Sequence, residues 1–255
     1  MNIALIGYGK MGKMIEHIAC DHGHKISAIV DPFAAGSHSG ITICKTIEEA
    51  NFDSVDAAIE FTQPDTAVAN ILALTKMKIS TIVGSTGWHD RMDEVRSAVE
   101  SANASLFWAS NFSIGVNLFF QIAWHAAKMI NNFPEYDIGG LESHHNKKMD
   151  SPSGTAKILA EGVLSIIDRK KKIVWETKKG KPEADELNFP SLRLGSVPGT
   201  HSLFFDSPAD TIEITHTARS REGFASGAVR AAEWLKAEDR HGVFTIDDMM
   251  IDLFK

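Results

Sequence analysis

The densest chemistry in this 255-residue chain lies in one stretch, Glu142-Ser143-His144-His145-Asn146-Lys147-Lys148-Met149-Asp150-Ser151-Pro152-Ser153-Gly154-Thr155-Ala156. It brings two imidazoles, two ammoniums and a Ser-Gly-Thr turn together. Apolar spacing predicts a helix over residues 156–167, so the backbone N–H groups of Gly154 and Thr155 stand at a helix start, which suits a carboxylate. Lys148 can serve as a cation and a proton donor, and His144 can share a proton near neutral pH. Adjacent histidines do not ordinarily face one ion, and no Cys/His ligand spacing supports them, so no metal site is expected. Lys147 reads as a solvated lysine without a chemical role. The net charge is −7, so an anionic substrate needs positive charge gathered locally, and Lys and His converge here.

A second motif, Gly7-Tyr8-Gly9-Lys10-Met11-Gly12, is a GxGxxG sequence set between an apolar run, residues 3–6, and a helical pattern, residues 11–19. Small residues there let the backbone turn tightly and approach a pyrophosphate resting on a helix N-terminus. The motif alone is weak. Its context strengthens it, because Asp31 ends a second β-rich run, residues 26–30, about twenty residues later, where a carboxylate accepts from an adenosine ribose. Asp31 repels a 2′-phosphate and Pro32 offers no cation to hold one, so NADH is favoured over NADPH. Lys10 or Lys13 within reach of a phosphate leaves dual use open. Phe61-Thr62-Gln63-Pro64 and Gly84-Ser85-Thr86-Gly87 each follow a strand-like run, where open α/β sheets bind ligands.

These motifs need a scaffold, and the first hundred residues supply one by alternating strand and helix signals. Strands are expected at 57–61, 81–83 and 106–109, and helices at 65–77 and 92–101. The pattern implies parallel pairing in a Rossmann-like, doubly wound α/β sheet. After Asn111 the character changes to a helix at 116–130 and alternating segments at 202–205 and 211–217. These indicate a C-terminal α+β domain with a mixed, more exposed sheet. Residues 170–186 are charge-rich and read as a solvated, mobile loop or edge. Gly139-Gly140 interrupts a strand where bulkier β-formers are expected. A helical pattern returns at 224–236.

Composition narrows the class. Hydrophobic residues at 44% and charged residues at 23% describe an ordinary globular protein. No apolar run reaches membrane-spanning length and no leader pattern opens the chain, so a cytoplasmic protein with no membrane partner is expected. Cys20 and Cys44 cannot build a disulfide framework. Acidic balance argues against nucleic-acid binding.

Taken together, residues 7–12, 61–64, 84–87, Ala109-Ser110-Asn111-Phe112-Ser113-Ile114-Gly115, the His144–Ala156 stretch and residues 224–234 resemble the 4-hydroxy-tetrahydrodipicolinate (dihydrodipicolinate) reductase family of lysine and diaminopimelate biosynthesis. That resemblance implies an oxidoreductase that reduces a small cyclic dicarboxylate with NADH or NADPH. It implies proton handling by His144 and Lys148, and substrate contacts from His145, Gly154 and Thr155. It further implies cofactor contacts from Gly7, Tyr8, Gly9, Lys10, Met11, Gly12, Asp31, Gly84, Ser85, Thr86, Ala109, Ser110, Asn111 and Phe112. Residues 1–112 with 225–255 would form the dinucleotide-binding domain, and 113–224 the substrate-binding and oligomerisation domain of a homotetramer. Lys10 stands where the family often has arginine, keeping charge but losing the planar fork. A two-domain dehydrogenase for an amino acid or sugar is the rival enzyme reading. A nucleotide-sensing scaffold is the non-catalytic one, and it would not be expected to retain the reactive side chains.

Overall fold

Strand and helix alternate from the first residues of the computed structural model, which describes residues 1–253. In chain order the elements used below are β1 (Asn2–Ile6), α1 (Lys10–Asp21), β2 (Lys25–Val30), β3 (Ser37–His38), β4 (Ile41–Cys44), β5 (Ala57–Glu60), α2 (Pro64–Lys76), β6 (Ser80–Val83), α3 (Met92–Ala102) and β7 (Ser105–Trp108). There follow α4 (Ile114–Ile130), β8 (Asp137–His144), α5 (Gly154–Ile166), β9 (Lys172–Val174), β10 (Glu186–Asn188), β11 (Ser191–Arg193), β12 (Thr200–Asp206) and β13 (Thr211–Thr217). The last are α6 (Glu222–Ala237), β14 (Gly242–Thr245) and α7 (Ile246–Leu253). Two compact units result, one of Met1–Ile114 with the described residues from Arg221 onward, the other of Gly115–Ser220.

The first unit holds an eight-stranded sheet in the order β14-β7-β6-β5-β1-β2-β4-β3, parallel except for the β3/β4 pair. Strands β1, β5 and β6 are buried almost throughout, as strands covered on both faces must be. The order reverses between β1 and β5, the switch point at which open α/β sheets take ligands. Helix α6 lies against α1 and the sheet, burying Ala225, Ala228, Val229, Ala232 and Leu235. Its Gly227 is obligatory, because a Cβ there would sit 1.7 Å from the Phe112 carbonyl oxygen.

The second unit is a six-stranded mixed sheet with α4 and α5 over one face. Its central strand β8 runs unbroken through Gly139-Gly140, where the sequence suggests an interruption. A Cβ on Gly140 would lie 2.1 Å from the ring of fully buried Phe189, so the glycine admits an aromatic to the core. On β8 the buried side chains alternate as Ile138, Gly140, Glu142 and His144. Most of the 170–186 stretch is the exposed loop and sheet edge expected of it, but its two ends, Lys170 and Glu186, are buried. Lys170 is buried, its Nζ 2.6 Å from Asp137 Oδ1 while donating to the carbonyls of Ala184 at 3.0 Å and Glu186 at 2.7 Å, and β9 follows it. Three oxygen acceptors compensate the ammonium for lost water, which charge counting along the chain cannot reveal.

Candidate active site

In the first unit the loops that begin at Gly7, Phe61 and Gly84 each leave the carboxyl end of a strand and are tied to a neighbouring strand. Gly7 N–H donates to the Val30 carbonyl, Phe61 N–H to Ile6 and Gly84 N–H to Glu60. Space at these loops is tight by design of the sequence. A Cβ at Gly7 would lie 2.3 Å from the Phe61 carbonyl oxygen, one at Gly12 2.2 Å from the Gly7 carbonyl oxygen, and one at Gly84 2.0 Å from the Phe61 ring. Helix α1 opens on Gly9 with no side-chain cap and no acidic residue in its first turn, which leaves its first-turn amides to an anion.

A cavity of about 700 Å³ lies beside this loop, lined by Gly7, Gly9, Asp31, Phe33, Lys45 and Thr62 among others. Asp31 is fixed there: Oδ2 accepts from Tyr8 N–H at 2.7 Å, and Oδ1 from the N–H groups of Phe33 at 2.8 Å and Ala34 at 3.1 Å. Gly7, Gly9 and Asp31 therefore gather at one cavity, while Lys10 and Met11 lie on the first turn of α1. Tyr8 turns inward, with its ring buried, its hydroxyl on Glu16 and its N–H on Asp31. Ser85 is also buried, and its hydroxyl accepts the Thr62 N–H at 2.8 Å, joining the two strand-end loops. Thr86 and Ser110 are exposed. Ala109 and Phe112 belong to the core, with the Phe112 ring 5.9 Å from Phe61 and 5.8 Å from Phe107, and Asn111 Oδ1 accepts from Ser113 N–H at 2.9 Å. The uncapped helix and glycine cradle fit a dinucleotide.

In the second unit Glu142 and His144 project to the same side of β8, two residues apart. The Glu142 carboxylate is completely buried. Oε2 pairs with His144 Nδ1, while Oε1 accepts from Arg193 Nη2 at 2.8 Å and from Ser153 N–H at 3.3 Å. Burial pushes this carboxyl upward, but contacts with His144, Ser191 and Arg193 outweigh it and hold the group well below the usual carboxylate range. The parallel pairing of β11 with β8 sets Arg193 opposite His144, which is how residues far apart in sequence meet. His201, on β12 opposite Glu142, stands edge-on to His144 with centroids 5.1 Å apart. Burial and then the His144 charge depress His201 to about 4, so it is neutral at physiological pH.

The loop after β8 carries the remaining reactive groups. Lys148 Nζ is 2.7 Å from Asp150 Oδ1, and this lysine lowers the Asp150 carboxyl. Arg193 Nη2 also donates to the Asp150 carbonyl at 2.7 Å, tying the lysine-bearing loop to the buried carboxylate. Ser153 caps α5 by accepting the Ala156 N–H at 3.1 Å. Gly154 is exposed, and a Cβ on it would meet nothing within 4 Å, which leaves room above the helix start. His145 is half-buried beside this loop and Lys147 is exposed.

Sequence reasoning assigns Glu142 no role; the structure makes it the centre of the cluster. The available signal is its two-residue spacing from His144 in a strand. Arg193 and His201 carry no such signal, since only sheet register brings them in.

The whole chain finds relatives. Residues 1–112 match the family model described as dihydrodipicolinate reductase, N-terminus, and residues 115–250 match dihydrodipicolinate reductase, C-terminus. A protein of Christiangramia forsetii named 4-hydroxy-tetrahydrodipicolinate reductase is 40% identical over 255 residues, covering 100% of both chains. One of the same name from Archaeoglobus fulgidus is 34% identical, covering 98% of this chain and 100% of its own. Among solved structures, a dipicolinate-bound dihydrodipicolinate reductase from Paenisporosarcina sp. TG-14 shares the fold at a TM-score of 0.78, with 19% identity over 96% of this chain and 97% of the other.

Proposed function

The chain belongs to the dihydrodipicolinate reductase family, and from that premise we propose that it reduces 4-hydroxy-tetrahydrodipicolinate with a nicotinamide cofactor, in lysine and diaminopimelate biosynthesis. The observation that supports this reading most strongly is the buried Glu142 carboxylate, which joins the His144 imidazole to the start of α5. A reactive imidazole and a helix N-terminus beside a lysine suit a substrate that carries carboxylates and takes up a proton.

A bound nicotinamide would supply the hydride. Gly7, Gly9 and Gly12 would let the pyrophosphate approach the backbone and the first-turn amides of α1, near Lys10 and Met11. Gly84, Ser85 and Thr86 and residues 109–112 would complete the cofactor contacts at neighbouring strand ends. Phe33, 94% exposed beside Asp31, offers a face for adenine. Asp31 favours the ribose of NADH. Lys45, lining the same cavity, is the cation that Pro32 fails to supply, so NADPH use is also supported.

In the second unit Gly154 and Thr155 would hold one substrate carboxylate and His145 would add a contact. Lys148 would donate the proton as hydride arrives, with His144 exchanging protons beside it. Leu141, Leu192 and Phe204 share the outer face of the second sheet by register, and Leu141 and Leu192 are exposed. That apolar surface supports assembly into a homotetramer through this sheet.

The test is to follow NADH and NADPH absorbance separately with enzymatically generated substrate, for the wild type, Lys148→Ala and His144→Ala. Turnover should fall on the order of 10²–10⁴-fold in each variant while NADH affinity stays nearly constant. Oxidation of neither cofactor by the wild type would sink the reading, as would variants that lose cofactor binding but keep the chemistry.

A further inference from the structure

We propose that Glu142, kept ionised by Arg193, is the positioning residue that places the His144 proton on Nδ1 and leaves Nε2 as the nitrogen that exchanges a proton with substrate. This rests on reading His144 as the proton-handling group.

The geometry dictates the tautomer. A neutral imidazole has one N–H and one acceptor nitrogen, and the partner of one fixes the role of the other. Nδ1 faces Oε2 of a carboxylate that is 0% exposed. An ionised carboxylate only accepts, so the nitrogen against it carries the proton. Nε2 is then the acceptor. The Gly199 backbone packs against that edge without a side chain: a Cβ there would lie 2.9 Å from Nε2 and 3.2 Å from Cδ2, and the residue has φ of +152°, so nothing larger than glycine fits beside Nε2.

Arg193 explains why the buried carboxylate remains charged. Uncompensated, a fully buried carboxyl would take up a proton and lose its acceptor-only character. Arg193 Nη2 and the Ser153 N–H both donate to Oε1, leaving Oε2 to the imidazole. The groups around His144 are Glu142 on its own strand, Arg193 from β11 and His201 from β12; Lys148 pairs with Asp150 on the following loop, and His216 from β13 lies opposite His201. Glu142 and Arg193 cancel in charge.

Substituting Glu142→Gln gives a sharp outcome. Arg193 and the Ser153 N–H both need an acceptor at Oε1, so the amide oxygen takes that place and the amide NH₂ faces Nδ1. A donor there turns Nδ1 into an acceptor and moves the proton to Nε2. The side chain keeps its size and its bond to Arg193, while the tautomer inverts.

The experiment is nitrogen-15 NMR of the His144 ring at about pH 8, where a free imidazole is neutral, combined with steady-state reductase kinetics. The wild type should show Nδ1 protonated, E142Q should show Nε2 protonated, and the shorter carboxylate of E142D should restore Nδ1–H. E142Q should lose on the order of 10²–10⁴-fold in kcat with the KM for the nicotinamide cofactor unchanged, and E142D should recover part of the rate. The proposal is overturned if the wild type carries its proton on Nε2. It is overturned equally if E142Q keeps the Nδ1–H signal and turns over within threefold of wild type. Absence of reductase activity in the wild type, with the tautomers as expected, would instead count against the enzymatic reading alone.

Discussion

Ser153 Oγ lies 3.1 Å from Nε2 of His201 while the same oxygen accepts the Ala156 N–H, so the cap of α5 and a buried imidazole on β12 share one hydroxyl. This joins the start of the helix that follows the reactive loop to the sheet beneath it. It also keeps a histidine in a place where charge is costly.

Stability should therefore fall on acidification through a defined window. Burial, then the His144 charge, pulls His201 from 6.5 to about 4, against the opposing pull of Glu142. The folded protein then binds fewer protons than the unfolded chain between these values. The stabilisation is complete above about pH 6.5 and is lost as pH drops toward 4, with a ceiling of about 3 kcal/mol. His216, also lowered by burial, adds in the same direction. Urea denaturation across this range should show the decline in wild type and a flatter curve in His201→Asn. Equal slopes in the two proteins would refute the assignment.

Gly12→Ala should invert the usual preference of helices. In an exposed helix the change gains about 1 kcal/mol. Here the added Cβ would lie 2.2 Å from the Gly7 carbonyl oxygen, which is backbone and cannot step aside cheaply. We expect a loss of about 1–3 kcal/mol in stability, and NADH affinity weakened by roughly tenfold or more through displacement of the loop. An NADH titration by fluorescence, with a denaturation curve beside it, measures both; an alanine variant at least as stable as wild type disproves the packing argument.

Lys45→Ala should separate the two cofactors. This lysine lines the cavity that Asp31 borders, and a phosphate on the adenosine ribose would gain from its charge. Loss of one charge-assisted contact corresponds to about 1.5–3 kcal/mol, or roughly 10–150-fold in the NADPH dissociation constant. NADH binding should move by less than about twofold. Equal weakening of both cofactors would place the lysine elsewhere in the binding balance.

Lys170→Met should destabilise the second unit although the segment looks solvated. Its ammonium satisfies the Ala184 and Glu186 carbonyls as well as Asp137. Removing it leaves the buried Glu186 carbonyl without this donor, at about 1–3 kcal/mol. The urea midpoint should shift down with an unchanged slope. A midpoint equal to wild type would mean that water replaces the ammonium at no cost.

Much of the dinucleotide side is legible in sequence because its information is local. A glycine pattern, the strand before it and the helix after it sit close together in sequence, and the apolar run of β1 is buried as such a run must be. Short edge strands such as β9, β11 and β14 escape pattern reading, since three or four residues give periodicity too little length.

The reactive side divides differently. The sequence by itself determined which chemical groups exist between Glu142 and Thr155, their order, and the helix start beside them, because covalent connectivity and local spacing suffice for that. Only the tertiary structure decided that Glu142 is central, that Arg193 holds it, and that His201 stands neutral beside His144. The parallel register of β11 and the antiparallel register of β12 on β8 join residues about fifty or more positions apart. Burial then turns that proximity into electrostatic control, because a carboxylate without water depends on the few donors that pairing brings to it.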